Sequence, residues 1–492
     1  MNKSPFIFPG SLLAVFLFFM VPLWAIGQSK KYEPNWASLD SRPLPSWFED
    51  AKFGIFIHWG PYSVPAWAPK GMYSEWYQYW LKQNDKAVNE HHNKTFGNDF
   101  SYYNFGEQFK ALDYQPDQWA KLIESSGAKY VVLTSKHHDG YALWPSKEAS
   151  IAYSRPWNSM ESGAKRDLAG EFAAAIRKTD LKLGFYYSLF EWYNPLWLRD
   201  KDKFVEQHYF PQVKDLVARY KPDILWTDGE WERSDKEWRS EEFLAWLYNE
   251  SPVGDKVIVN DRWGKDTRKK HGGYYTTEYA ADFKANKPWE ECRGIGFSFG
   301  YNRNEDIQDY NTAQTLVLML VNIVSNGGNL LLDIGPQADG KIPPVMQERL
   351  QEIGAWMKIN GEAIYGTRSW KNHFQWSKGR TDWAAKNEGS ESGSYILKQT
   401  VDPDPGYAVK EVFFTSKGNE LYAILPKLPE GKFLLKDIQV QNNTDISLLG
   451  FAKSIKWKKV RGDIELQFPV ISRQELPAQY AYTLKLTNIN RP

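Results

Sequence analysis

The chain has 492 residues, enough for two or three domains with ample cores. Lysine and arginine number 61 and aspartate and glutamate 60, so the formal charge of +1 provides no general pull towards nucleic acid or an anionic membrane, and the implied partner is neutral. Cys292 is the only cysteine, which excludes an intrachain disulfide and a cysteine-based zinc site, while an aromatic share of 16% with 23 tryptophans suits the C–H faces of sugars and equally a large core.

Taken from the start, Lys3 in a short basic region, the apolar stretch Leu12–Trp24 and the small-residue end Ala25-Ile26-Gly27 form the pattern of a secretory signal peptide over residues 1–27. The apolar run is short for a spanning helix and no later segment is long enough. The expectation is therefore export, to a periplasm, the extracellular space or a lysosome according to host, with no membrane insertion once the signal is cleaved.

From Phe53 onwards, short apolar runs alternate with helical spacing. The runs are Phe53–Ile57, Tyr130–Leu133, Leu183–Tyr187, Ile224–Trp226, Val257–Val259 and Leu330–Ile334; the helical segments include Pro116–Ser126, Leu168–Lys178, Phe204–Tyr220, Thr312–Ser325 and Pro344–Asn360. This alternation predicts an α/β domain over residues 28–366, a TIM-like (β/α)8 barrel of regular or irregular form, with an open doubly wound sheet as the competitor. No glycine-rich phosphate loop follows the first run, which favours the barrel. Beyond Gly366 the runs Glu411–Phe414, Leu421–Leu425, Ile464–Phe468 and Tyr482–Leu486 alternate between turn signals, predicting a C-terminal antiparallel β-sandwich over residues 367–492.

The ends of the runs carry the chemistry: His58-Trp59-Gly60, His137-His138-Asp139-Gly140, Tyr187-Ser188, Asp228-Gly229-Glu230 and Asn260-Asp261-Arg262-Trp263. In a barrel such C-terminal strand ends converge on one site. Asp228 closes a buried run and can serve as a nucleophile, with Arg262 or a histidine keeping it ionised; Asp-Gly is also ordinary turn chemistry. Retaining glycoside hydrolysis needs a second carboxyl group roughly 5–5.5 Å away, and the candidates are Glu278, Glu290 or Glu291, and Glu230 or Glu232. Adjacent histidines in a strand face opposite ways, which argues against a shared metal and for binding sugar hydroxyls or a structural role. A lectin-like protein on an inactive barrel is the reading from another class.

With those residues in view, the chain resembles the alpha-L-fucosidases of glycoside hydrolase family 29 from about Trp47 to Tyr365. The resemblance is carried by Phe53-Gly54-Ile55-Phe56-Ile57-His58-Trp59-Gly60, Ser74-Glu75-Trp76-Tyr77, Lys136-His137-His138-Asp139-Gly140, Trp226-Thr227-Asp228-Gly229-Glu230-Trp231, Asn260-Asp261-Arg262-Trp263-Gly264 and Gly294-Ile295-Gly296-Phe297-Ser298-Phe299-Gly300-Tyr301. It implies a TIM-type barrel and retaining removal of terminal α-L-fucose from glycans without metal or organic cofactor, with α-L-galactosidase as the neighbouring specificity. It further implies that Asp228 forms the covalent fucosyl-enzyme and that His58, Glu75, Trp76, His137, His138, Tyr187, Trp226, Arg262 and Phe299 line the sugar pocket. The acid/base lies in a variable loop of the family. Glu278 is favoured and Glu290 is the alternative.

Overall fold

The computed structural model describes residues 31–280, 283–384, 394–476 and 479–489. Apart from Met1, Asn2 and Pro5, the expected signal peptide lies outside the described residues. Eight parallel strands form a curled sheet: β1 (Phe53–Ile57), β2 (Tyr130–Lys136), β3 (Lys182–Ser188), β4 (Ile224–Asp228), β5 (Ile258–Val259), β6 (Tyr275–Glu278), β7 (Trp289–Gly294) and β8 (Gly328–Ile334). They are ordered β5-β4-β3-β2-β1-β8-β7-β6 and interleaved with helices, the architecture of an irregular (β/α)8 barrel. Strand alternation sorts the side chains. Phe56, Tyr130, Val132, Tyr186, Trp226, Ile258 and Leu331 fill the interior, whereas Ile55, Val131, Leu133, Phe185, Tyr187, Leu225 and Leu332 pack under the helices.

The order of strands leaves β5 and β6 at its two ends, and among the described residues no ladder joins them. Polar side chains hold that seam instead. The Asp261 carboxylate accepts from the Thr276 amide at 3.1 Å and the Thr276 hydroxyl at 2.7 Å, and Arg262 Nε donates to the same hydroxyl at 3.0 Å. The Gly273 amide adds a backbone bond to the Val259 carbonyl at 3.1 Å.

β6 and β7 were not marked by apolar runs, because they bury polar residues. Glu290 and Cys292 point inward, while Glu291 pairs with Arg293 at 2.6 Å on the helix-facing side. The helix expected over Phe204–Tyr220 is divided into Lys201–Phe204, a π turn at Val205–Tyr209 and Phe210–Tyr220. Pro211 explains the break, since it lacks an N–H and its ring crowds the preceding turn, which widens to accommodate it.

The C-terminal region holds β9 (Arg368–Trp376), β10 (Lys410–Lys417), β11 (Glu420–Leu425), β12 (Gly431–Leu435), β13 (Ile446–Leu448), β14 (Lys456–Val460), β15 (Asp463–Phe468) and β16 (Tyr482–Leu486). They form antiparallel sheets ordered β13-β16-β11-β10-β9 and β12-β15-β14 around a shared apolar core that includes Val412, Leu421, Leu435, Leu466 and Leu484. The helix Ala313–Ser325 is buried nearly all round because β8 covers one side and β9 and β10 another. Trp356 Nε1 donates to the Ala481 carbonyl at 2.9 Å, tying the helix Pro344–Asn360 to the sandwich.

The seam generates a stability prediction. Asp261→Ala strands the buried Thr276 donors and the Lys269 amide that also bonds this carboxylate, so urea unfolding is expected to show a loss of about 2–4 kcal/mol.

Candidate active site

β4 stops at Asp228 because Gly229 turns with φ 73°, at a place where a Cβ would meet Phe190 Cβ and Ser188 Oγ at 3.0 Å. Asp228 is only 8% exposed and is surrounded by donors. Arg262 Nη1 donates to Oδ1 at 2.7 Å and the Tyr186 hydroxyl to Oδ2 at 3.0 Å; His138 Nε2 lies 3.5 Å from Oδ2 and Arg268 Nη2 3.7 Å from Oδ1. Burial by itself pushes the carboxyl up. The Arg262 charge, the hydrogen bond and charge of His138, and the Arg268 charge outweigh burial and hold Asp228 well below the usual carboxylate range. At neutral pH it is an ionised carboxylate held in a fixed orientation.

Arg262 does more than neutralise. Its guanidinium lies 4.5 Å from the centre of the Trp226 ring, and Nη2 faces Glu278 Oε2 at 3.6 Å, so one planar cation spans two carboxyl groups. Glu278 closes β6 with its side chain 31% exposed, and the Tyr73 hydroxyl donates to Oε1 at 3.1 Å. The two carboxyls therefore differ in setting: Asp228 is enclosed and Glu278 stands at the mouth.

The polar lining is mostly uncharged. His58 Nδ1 bonds Asp333 Oδ1 at 2.6 Å, and burial drives His58 down to about 3 while pushing Asp333 well up, so the pair is a neutral hydrogen bond. Burial keeps His137 neutral; its ring stacks on Tyr186 at 5.6 Å. Glu75 accepts from the Gly300 amide at 2.9 Å, yet burial, aided by Glu278 and Glu305, raises it to about 8, so it is a protonated carboxyl at neutral pH. Neutral groups that donate and accept match hydroxyls. Trp76 and Phe299 supply apolar walls, and the cavity they help line measures about 440 Å³, counted to its open mouth.

Among the described residues, no group of three or more His, Cys, Asp or Glu side chains has metal-binding geometry. His137 and His138 do not face opposite ways as a continuous strand would have them. Both line the cavity, because β2 ends at Lys136 after a register irregularity against β3.

A model of the family "Alpha-L-fucosidase" matches residues 20–362, and one of "Alpha-L-fucosidase C-terminal domain" matches residues 407–487. The chain is 42% identical over 471 residues to the tissue alpha-L-fucosidase of Bos taurus, covering 93% of this chain and 92% of that one. The plasma alpha-L-fucosidase of Rattus norvegicus is 42% identical over 474 residues, covering 93% and 94%. The crystal structure of Thermotoga maritima alpha-fucosidase in complex with fucose superposes with a TM-score of 0.75 at 34% identity, covering 93% of this chain and all of that one. The chain belongs to the alpha-L-fucosidase family.

Membership makes it a glycoside hydrolase, and the geometry of this fucosidase-family site corrects two expectations. Tyr187 is not in the cavity: its hydroxyl donates to Gln212 at 2.7 Å on the helix-facing side, and its ring receives Lys136 at 4.1 Å. Tyr186 takes the place. It pairs in register with Trp226, so the two share the inward face with Asp228, whereas Tyr187 pairs with Thr227. Glu290 lies beneath the cavity, accepting from Tyr130 at 2.6 Å and Trp226 Nε1 at 2.8 Å. Burial raises it to about 7, but it is 1% exposed and does not line the cavity. Glu230 is spent on Arg268, Glu291 on Arg293, and Glu232 faces Lys201 at 3.7 Å. His58, Glu75, Trp76, His137, His138, Trp226, Arg262, Phe299 and Glu278 all line the cavity with Asp228, joined by Phe56, Tyr73, Tyr186, Trp231 and Cys292, to which the sequence assigned no place there. Tyr73 directly precedes the Ser74–Tyr77 block and Trp231 ends the Trp226–Trp231 block, which is the signal that could have found them.

Arg262→Met tests the electrostatics. With that charge gone, burial is opposed only by Arg268 and His138, and the Asp228 carboxyl is expected to rise, read by 13C titration of the side-chain carboxyl against wild type.

Proposed function

We propose that the protein removes terminal α-L-fucose from glycans with retention of configuration, through a covalent fucosyl-enzyme on Asp228, with Glu278 as acid and then base. The observation that carries this reading is the single Arg262 guanidinium facing an enclosed, ionised Asp228 and a mouth-exposed Glu278. A retaining pair stands roughly 5–5.5 Å apart, and a shared guanidinium keeps two carboxyls close. The names of the relatives support fucose as the sugar.

In the first step an Asp228 oxygen bonds to the anomeric carbon as the glycosidic bond breaks, and Glu278 gives its proton to the departing oxygen. In the second, Glu278 takes a proton from water, the water oxygen bonds to the anomeric carbon, and Asp228 is released as the carboxylate. The neutral His58, His137 and Glu75 bind ring hydroxyls, and Phe299 and Trp76 receive the sugar's apolar side.

Azide separates the roles. Glu278→Ala is expected to lose roughly 10²–10⁴-fold in turnover on a poor leaving group and, with azide, to yield α-L-fucosyl azide. Asp228→Gly, where azide replaces the nucleophile, is expected to yield the β anomer. Rescue of Glu290→Ala in place of Glu278→Ala would reverse the acid/base assignment, and wild-type protein that binds fucose without turnover would mark a lectin. The basic start, the apolar stretch and the small residues ending at Gly27 support export, among the described residues no helix is long and apolar enough to cross a membrane, and N-terminal sequencing of the exported chain is expected to begin at Gln28.

A further inference from the structure

We propose that Trp231 forms the binding subsite for the sugar from which fucose is cleaved, a neutral pyranoside that lays an apolar C–H face on the indole. This rests on the fucosidase reading above and adds what lies on the leaving side. The floor of the cavity is closed by Trp226 and Glu290, each 1% exposed and bonded to the other at 2.8 Å. The rest of a glycan therefore has to leave through the mouth, where Glu278 also stands.

At that mouth Trp231 lines the cavity and is nevertheless 36% exposed, an open indole face three positions beyond the nucleophile. Its ring centre lies 5.2 Å from His138 and 6.0 Å from Trp76, with interplanar angles of 58° and 34°, so it extends the wall of Trp76 outward into solvent. Trp76 is itself braced by Trp80 at 5.6 Å and Trp192 at 5.1 Å, which fixes the inner end of this surface.

The platform is held rigid. Gly229 makes a left-handed turn, the buried Glu230 carboxylate is paired with Arg268, and the Glu230 carbonyl accepts from Trp238 Nε1 at 3.0 Å. Two residues on, Arg233 pairs with Asp202. A flat ring fixed in advance binds with little loss of side-chain freedom, and an indole offers a pyranose ring its apolar face without demanding a charge. Nothing else in the segment Asp228–Arg233 combines exposure with a place in the cavity lining.

The test compares two substrates that share fucose and differ on the leaving side: α-L-fucosyl fluoride, whose leaving group is too small to stack, and the disaccharide α-L-fucosyl-(1→2)-galactose. Trp231→Ala is expected to lower kcat/KM for the disaccharide by at least about tenfold more than for the fluoride, and Trp231→Phe, which keeps a ring, to recover most of that difference. Equal losses on both substrates, or no loss on the disaccharide, would overturn the subsite. Wild-type protein inert towards the fluoride would overturn the fucosidase reading itself, and this inference with it. Thermal melting of each variant confirms that the compared proteins are folded.

Discussion

Arg262 Nη1 meets Asp228 Oδ1 with both side chains withdrawn from water, and a buried pair of this kind costs several kcal/mol of desolvation per ion before attraction and hydrogen bonding offset it. Such a contact is weak evidence for stability and strong evidence for a job. The same guanidinium reaches Thr276 across the β5–β6 seam, stacks on Trp226 inside the barrel and faces Glu278 at the mouth. Closing the barrel and setting the charge of the cavity are thus assigned to one side chain. The position of Arg262, just past β5 and against the unpaired edge of β6, lets it do both.

The sequence and the structure agree where burial is simple. β1, β2, β3, β4 and β8 are apolar runs, and their ends carry the residues that converge. The seam side was harder to read, because Tyr275-Thr276-Thr277-Glu278 and Trp289-Glu290-Glu291-Cys292-Arg293 look like polar loop until each buried polar group is given its partner. Tyr130 and Trp226, the partners of Glu290, are 160 and 64 residues away, while Thr276 finds Asp261 and Glu291 finds Thr277 across the turns of the seam. The Tyr186 and Tyr187 exchange has a related cause: period-two alternation tells which residues share a face within one strand, but only the register between strands tells which face is the cavity. Glu290 combines a raised pKa with a place off the cavity lining, so the proposal of Glu278 as the acid rests on access rather than on pKa.

Behind the histidines lies a second buried network. Glu191 accepts from Lys136 at 2.5 Å, His208 at 2.7 Å and Asn194 at 2.7 Å, and its partners hold it far below the ordinary carboxylate range despite burial. Lys136 directly precedes His137, and Glu191 directly precedes Trp192, which packs on Trp76. The network therefore links the end of β2 to the loop after β3 and fixes two walls of the cavity against each other. The sandwich plays a more distant part. It covers the helix Ala313–Ser325, which packs on β8, and bonds to Glu362 through Tyr422 and Lys485.

The closed floor beneath Trp226 and Glu290 has a temporal meaning as well as a spatial one. A chamber with one doorway admits its guest sugar-tip first and can return that tip only after whatever was attached to it has gone. On the proposed two-step route, the water of the second step comes through the opening that the departing sugar has just cleared, so departure precedes hydration. Release is then ordered, with the trimmed glycan leaving first and the monosaccharide last, and a high concentration of that monosaccharide occupies the same chamber the next chain end needs.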